Sequence, residues 1–388
     1  MDEREFTNKE MGKLQWVDGG LGGMYYRFEP RKLPLNYTPS TKVLRQMTST
    51  LLALGGLKAL SMEFTKQEIF LLQHPFMLKE AQLSSEIEGT RSTIADIYKG
   101  KKIEEKNIEK REDNEEIENY RNALEFALKD KEGVISEKLI KTIHALLLKG
   151  VRGTDKNPGE YKKNQNGVGN REDTLDTARF VPAPPESTPP LMSNLVDFVN
   201  SSEYEALYKI SITHYQFETI HPFRDGNGRL GRLLIILQLC REGILNHPLL
   251  YISEYFNRNR DTYTDLLFEV SSKGKIDEWF LFFLKSLEYQ ANQSLKLLDK
   301  LKKYKEFLQR EIHKISQSPN IHLLIESLFK QPIFSVRDVM QPLRISQPSA
   351  WNLIQKLIEW KIVSEFSVVK NTKIYAAQGI IDIVEQKT

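Results

Sequence analysis

Twelve consecutive residues, His221-Pro222-Phe223-Arg224-Asp225-Gly226-Asn227-Gly228-Arg229-Leu230-Gly231-Arg232, bring together a base, a hard oxygen ligand, an anion cradle and two guanidinium groups. Gly226-Asn227-Gly228 stands directly before a strongly apolar helical run. Glycines there let the backbone approach a ligand, and the first free N–H groups of the helix, with its dipole, favour an anion. Arg229 and Arg232 are three apart and share one helix face. Two guanidinium groups beside an anion-binding helix start point to a polyphosphate and not to a single carboxylate. Asp225 offers the oxygen ligand that Mg²⁺ on a nucleotide takes. His221 can be neutral near pH 7 and accept a proton from an attacking hydroxyl.

Each of these residues also has a plainer reading. Asp225 alone is a common N-cap, and the two arginines alone are ordinary solvated side chains. His214, His221 and Asp225 match no standard transition-metal spacing. Gly226-x-Gly228-x-x-Gly231 fits the dinucleotide fingerprint, but it follows HPFRD and not an apolar strand. A second His-Pro-Phe, at His74 to Phe76, is followed directly by neither glycines nor arginines and reads as structural. No G-x-x-x-x-G-K-[ST] occurs, which excludes a P-loop NTPase.

The elements that must position these residues are mostly helical. Residues 1–40 read as irregular. Helical periodicity runs from Lys42 to Leu60 and through QEIFLLQHPFMLKEAQLSSEIEG, where Gly89 is a stop signal. Residues 99–119 carry dense charge of both signs and read as a solvated loop or exposed helix face. Residues 151–190 are rich in Gly, Asn, Asp and Pro and read as a long loop with a short hairpin inside. Loops this long in a compact domain are usually functional. Helices return at 191–201, 203–220, 226–242 and from about 256 to 313. The tail reads as three helices, with Ser335 capping the second, and then two strands around Lys370-Asn371. That order resembles a winged helix-turn-helix module.

The chain has 388 residues, 55 Lys plus Arg and 52 Asp plus Glu, for a net charge of +3. Such length gives roughly two to three domains. So small a charge excess predicts no broad polyanion-binding surface. Residues 310–388 hold 10 Lys plus Arg against 7 Asp plus Glu, and Trp351 and Trp360 read as packing residues. DNA binding by the tail therefore has thin support, and protein docking fits it as well. The single cysteine, Cys240, excludes an internal disulfide and reads as a buried thiol. The charged start has no apolar signal core, and no run approaches the roughly 20 apolar residues of a membrane span. A cytoplasmic protein with no membrane partner is expected.

HPFRDGNGRLGR matches the Fic-domain signature, His-x-Phe-x-Asp/Glu-Gly-Asn-Gly-Arg-x-x-Arg, at every fixed position. The chain therefore resembles the Fic family over most of residues 15–290. PGEYKKNQNGVG and ARFVPAPP resemble the family's flap, LLYISEYFNRNRDTYTDLL the segment packing near its base, and the N-terminal half the domain that often precedes Fic. The resemblance implies a mainly α fold: an N-terminal helical domain over 1–115, a Fic core with a short β-hairpin flap over 116–295, and a linker helix with winged helix-turn-helix over 296–388. It implies transfer of AMP from Mg²⁺-bound ATP to a Ser, Thr or Tyr hydroxyl of a protein, the chain itself included. His221 would be the general base and Asp225 the Mg²⁺ ligand. Gly226, Asn227, Gly228, Arg229, Leu230, Gly231 and Arg232 would line the nucleotide, with Tyr263 near the base pocket and Phe223 a core anchor. Asn166, Gly167, Val168 and Gly169 would dock the target, although relatives often carry a large aromatic near Gly167. Ser84-Ser85-Glu86-Ile87-Glu88-Gly89 matches the inhibitory signature Ser/Thr-x-x-x-Glu-Gly/Asn, so Ser84, Glu88 and Gly89 would restrain Arg232. Ser85-x-x-Glu88 also fits a capping box, but the helical pattern begins well before it. Other donors, a DNA-binding role for the tail and a homodimer stay open.

Overall fold

The computed structural model describes every residue except 19–22, 101–107, 130–132, 170–171, 370–371 and 386–388. The start is not irregular. Strands β1 (Gly12–Asp18) and β2 (Met24–Pro30) pair antiparallel, with Gly12 opposite Pro30 and Asp18 opposite Met24. An isolated hairpin is marginal in water, and this one is held by tertiary contact. Phe28 is buried, and its N–H donates to the Val181 carbonyl at 2.8 Å.

Helix α1 (Thr41–Ser61) is capped by Ser40, and α2 (Lys66–Ile87) starts with a capping box of Thr65 and Glu68. The reciprocal cap of α2 thus sits at its beginning, and Ser85 and Glu88 lie at its C-terminal end. Glu88 ends α2, and Gly89 follows at φ +102°, a backbone state that favours glycine. After α3 (Ile94–Gly100), α4 (Ile108–Ala127) takes up the second half of the charged run. That run is not a purely solvated face. Asp113 and Glu116 are buried, because both find Arg152, which follows α5 (Glu137–Leu147). The part of the run at 101–107 lies outside the described residues.

The core is built on α6 (Thr188–Asn200), α7 (Ala206–Ile220) and α8 (Asn227–Arg241). Residues Arg229 to Cys240 of α8 are all buried, as a helix that is apolar on every side must be. Short α9 (Ser253–Arg258) and α10 (Arg260–Lys273) lead into α11 (Ile276–Ile315), 40 residues and about 60 Å long. Its apolar stripe packs on α1 and then carries the tail.

The tail has α12 (Pro319–Lys330), β3 (Ile333–Ser335), α13 (Val336–Leu343), α14 (Gln347–Glu359), β4 (Ser364–Val369), β5 (Thr372–Ala376) and α15 (Gln378–Glu385). Ser335 caps α13, reciprocated by Asp338. The sheet order is β3-β5-β4, so one short strand joins the two expected ones. The Lys370-Asn371 turn lies outside the described residues. Trp351 is not a packing residue: it is 48% exposed, because Ala350, Ile354 and Leu357 form the buried face of α14. The boundaries expected at 115 and 295 fall inside α4 and α11. Among the described residues no helix is long and apolar enough to cross a membrane.

Candidate active site

His221 ends α7 in the left-handed region, at φ 48°. Its Nδ1 lies 3.2 Å from the Glu218 carbonyl. A carbonyl only accepts, so Nδ1 carries the proton and Nε2 keeps its lone pair. Burial, then the nearby Lys162 ammonium, pushes the imidazole pKa down to about 4, leaving it neutral at physiological pH. Phe223 is fully buried and stacks on His144 at 3.8 Å between ring centres. His144 Nδ1 accepts from the Gly159 N–H, so its Nε2–H donates to the Asp225 carbonyl at 2.9 Å. Asn227 locks the same turn by exchanging two hydrogen bonds with the Phe223 backbone, at 2.9 and 2.8 Å.

Gly226, at φ 74°, caps α8, whose first N–H groups have no acceptor within the helix. Glu88 supplies the anion there. A Cβ at Gly228 would collide with Glu88 Oε1, so the missing side chain is what admits this carboxylate. Arg232 Nη2 donates to Glu88 Oε1 at 2.7 Å and to the Ser84 carbonyl at 2.8 Å, while Nε donates to Ser84 Oγ at 2.8 Å. Arg232 is 1% exposed, whereas the Glu88 side chain is 42% exposed.

A cavity of about 320 Å³ opens on Glu88, Glu218, His221, Asp225, Gly228 and Arg232. Asp225 Oδ1 is engaged by the Gly226 N–H and by Arg229 Nη2 at 3.4 Å, and among the described residues Oδ2 accepts no hydrogen bond. Arg229 and Leu230 do not line the cavity. Leu230 is core, and Arg229 turns to Glu116 at 3.3 Å, with both side chains 5% exposed. Gly231 faces inward, where a Cβ would strike Glu218.

Residues 134–239 match the Fic/DOC family, and residues 44–129 match its N-terminal domain. The chain carries a Fic domain. A probable protein adenylyltransferase of Aquifex aeolicus is 33% identical over 179 residues, which is 45% of this chain and 51% of that protein. A protein adenylyltransferase Fic of Aedes aegypti is 30% identical over 162 residues, 41% of this chain and 29% of that one. The chain thus matches about half or less of the length of these curated relatives. A Fic family protein from Desulfovibrio desulfuricans superposes over 88% of this chain and 97% of its own, with TM-score 0.57 and 21% identity. A Fic domain containing signaling protein from Bacteroides thetaiotaomicron covers 66% and 96%, with TM-score 0.51 and 24% identity. At those identities the likeness establishes the fold.

In this Fic domain the flap, among the described residues of 151–187, is closed by one bridge, Val168 to Phe180, with N···O distances of 2.7 and 3.1 Å. Val168 and Gly169 border the cavity mouth, and Gly167 packs near Ala178. Asn166 faces the Fic motif instead: its Nδ2 donates to the carbonyls of His221 and Phe223. Tyr263 lines the cavity, is 3% exposed, and meets His214 Nε2 through its hydroxyl at 2.8 Å. Gly89 lies just past Glu88 with open space around its Cα.

The motif did not reveal Glu218, Lys162 or Glu116. Burial pushes the Glu218 carboxyl up to about 8 against the pull of Arg232, and its Oε2 lies 3.8 Å from His221 Nδ1. Glu218 precedes His221 by one helical turn, the only cue the sequence held. Glu116 and Lys162 come from segments 113 and 59 residues before Arg229 and His221, beyond any local pattern.

Proposed function

We propose that the protein is a restrained protein adenylyltransferase, moving AMP from Mg²⁺-ATP to a Ser, Thr or Tyr hydroxyl and releasing pyrophosphate. The observation that carries this reading is the single cavity shared by a neutral His221, the α8 N-terminus and Arg232. The relatives named above, called protein adenylyltransferases, support it. His221 Nε2 takes the proton of the target hydroxyl as its oxygen attacks the α-phosphorus. The α8 N–H groups and Arg232 bind the phosphates, where charge develops on the phosphoryl oxygens and the leaving pyrophosphate. Tyr263 walls the pocket, and Val168 and Gly169 present the target.

Asp225 fits Mg²⁺. Its side chain lines the cavity, and among the described residues Oδ2 accepts no hydrogen bond. Among the described residues no group of three His, Cys, Asp or Glu could hold a metal alone, as suits an ion that takes one carboxylate plus phosphate oxygens and waters. Bound there, Mg²⁺ would neutralise phosphate charge.

Glu88 competes with the γ-phosphate for Arg232, because one guanidinium fork does not serve two anions. Ser84 and Gly89 fix the end of α2 that delivers it. We assign residues 1–115, 116–295 and 296–388 to the N-terminal domain, the Fic core and a linker helix with a winged helix-turn-helix, with α4 and α11 running across the joins. Mass spectrometry of the protein after incubation with mixed Mg²⁺-nucleotides tests the reading. A mass gain of AMP on a hydroxyl residue is expected from ATP, and no nucleotide adduct on either the parent or Glu88→Gly would refute it.

A further inference from the structure

Four consecutive carbonyls of the Fic loop are held from the flap. Lys162 Nζ donates to the Ile220 carbonyl at 3.0 Å, and the Lys162 N–H to that of Pro222 at 2.9 Å. Asn166 Nδ2 donates to the His221 carbonyl at 3.1 Å and to that of Phe223 at 2.8 Å. Lys162 Nζ also donates to Asn166 Oδ1 at 2.8 Å, which makes the two side chains one unit. Lys162 is 3% exposed, and no carboxylate among the described residues lies within ion-pair distance of it. A buried ammonium without a counter-ion is costly unless carbonyl oxygens solvate it. Here they are the end of α7, where the helix dipole favours a cation.

These contacts surround the one backbone feature that needs them. His221 is not a glycine, yet it sits at φ 48°. An L side chain persists there only where its surroundings over-determine the turn. We propose that Lys162 and Asn166 form a splint that fixes the left-handed turn at His221, making both of them positioning residues for its imidazole. The splint ties the segment that covers the target to the group that deprotonates it, so flap and base form one rigid piece. This rests on the reading of His221 as the base. Lys162 also acts through its charge. The groups facing His221 are Lys162, Glu218 and Glu88; burial and Lys162 lower its pKa, while the Glu218 carbonyl and Glu88 raise it.

The test uses the full chain carrying Glu88→Gly, with Lys162→Met, Lys162→Arg, Asn166→Ala and His221→Ala added singly. Lys162→Met should lower kcat at least about tenfold with KM for ATP unchanged, since a misplaced base loses general-base catalysis while the phosphate cradle is intact. By NMR titration, the His221 pKa should rise above that of the Glu88→Gly protein, because the Lys162 ammonium that lowers it is gone. Lys162→Arg should restore kcat and titration. Asn166→Ala should lower kcat while leaving the titration near the parental value, because it removes no charge. Asn166→Ala also decides the matter if Lys162→Met does not fold. Folded Lys162→Met or Asn166→Ala protein with parental kcat and an unmoved His221 imidazole resonance overturns the splint. Should His221→Ala keep full labelling, the base reading fails instead, and the His221 resonances in Lys162→Met still decide the splint.

Discussion

Glu88 Oε1 lies 2.7 Å from Arg232 Nη2, joining residues 144 positions apart in the chain. No local geometry brings them together. The contact depends on α2 crossing the start of α8, with Ser84 gripping the same guanidinium one turn earlier.

If Glu88 occupies the γ-phosphate's partner, Glu88→Gly frees Arg232 and AMP incorporation rises strongly. Arg232→Ala in that background cancels the gain, because the released group is then missing. Labelling of parent, both single variants and the double variant gives the interaction as non-additivity. Parental labelling in Glu88→Gly would make Glu88 an ordinary helix-end residue.

His221→Ala removes the base and leaves the cradle whole. Transfer should fall about 10² to 10⁴-fold while ATP affinity by calorimetry stays at the parental value. Unchanged turnover would remove His221 from the chemistry.

The pH profile follows from the same residue. Burial first, then Lys162, lowers the His221 pKa to about 4. The neutral form is the active one. Activity of Glu88→Gly should therefore persist as pH falls through 6.5 and decline only towards 4, measured as kcat against pH. An acid limb at 6.5 would assign the proton to another group or to an exposed imidazole.

Asp225→Ala removes a carboxylate that lines the cavity. The variant should need much more Mg²⁺ for both nucleotide binding and labelling, read from Mg²⁺ titrations of each. A parental titration curve would leave Asp225 with only its contacts to the Gly226 N–H and Arg229.

Glu116 closes a buried network with Arg229 and Arg152 and accepts from Thr90 Oγ1 at 3.0 Å. Breaking a buried pair leaves an uncompensated charge and costs about 3–5 kcal/mol. Glu116→Leu should lose that much stability in urea unfolding, and adding Arg229→Met should recover part of it. Stability within about 0.5 kcal/mol of the parent would class the pair with exposed ones.

The twelve-residue motif carried its chemistry openly, because base, carboxylate, glycines and arginines adjoin in the chain and a helix start imposes their geometry. The Glu88 signature was legible for the same reason. What the sequence by itself determined was therefore the set of local pieces: most helices by apolar period, the cap at Ser335, the stop at Gly89, the glycines that open α8, and a buried Cys240. The tertiary structure decided which pieces meet. It turned Arg229 away from the cavity to Glu116, buried Asp113 and Glu116 of a charged run that reads as solvated, and made strands of Gly12–Asp18 and Met24–Pro30 by leaning Phe28 on the flap. It also put Lys162 and Asn166 beneath His221 and left Trp351 exposed. Periodicity and spacing report only neighbours within a turn or two, whereas a buried charge is settled by whichever distant partner the packing brings to it.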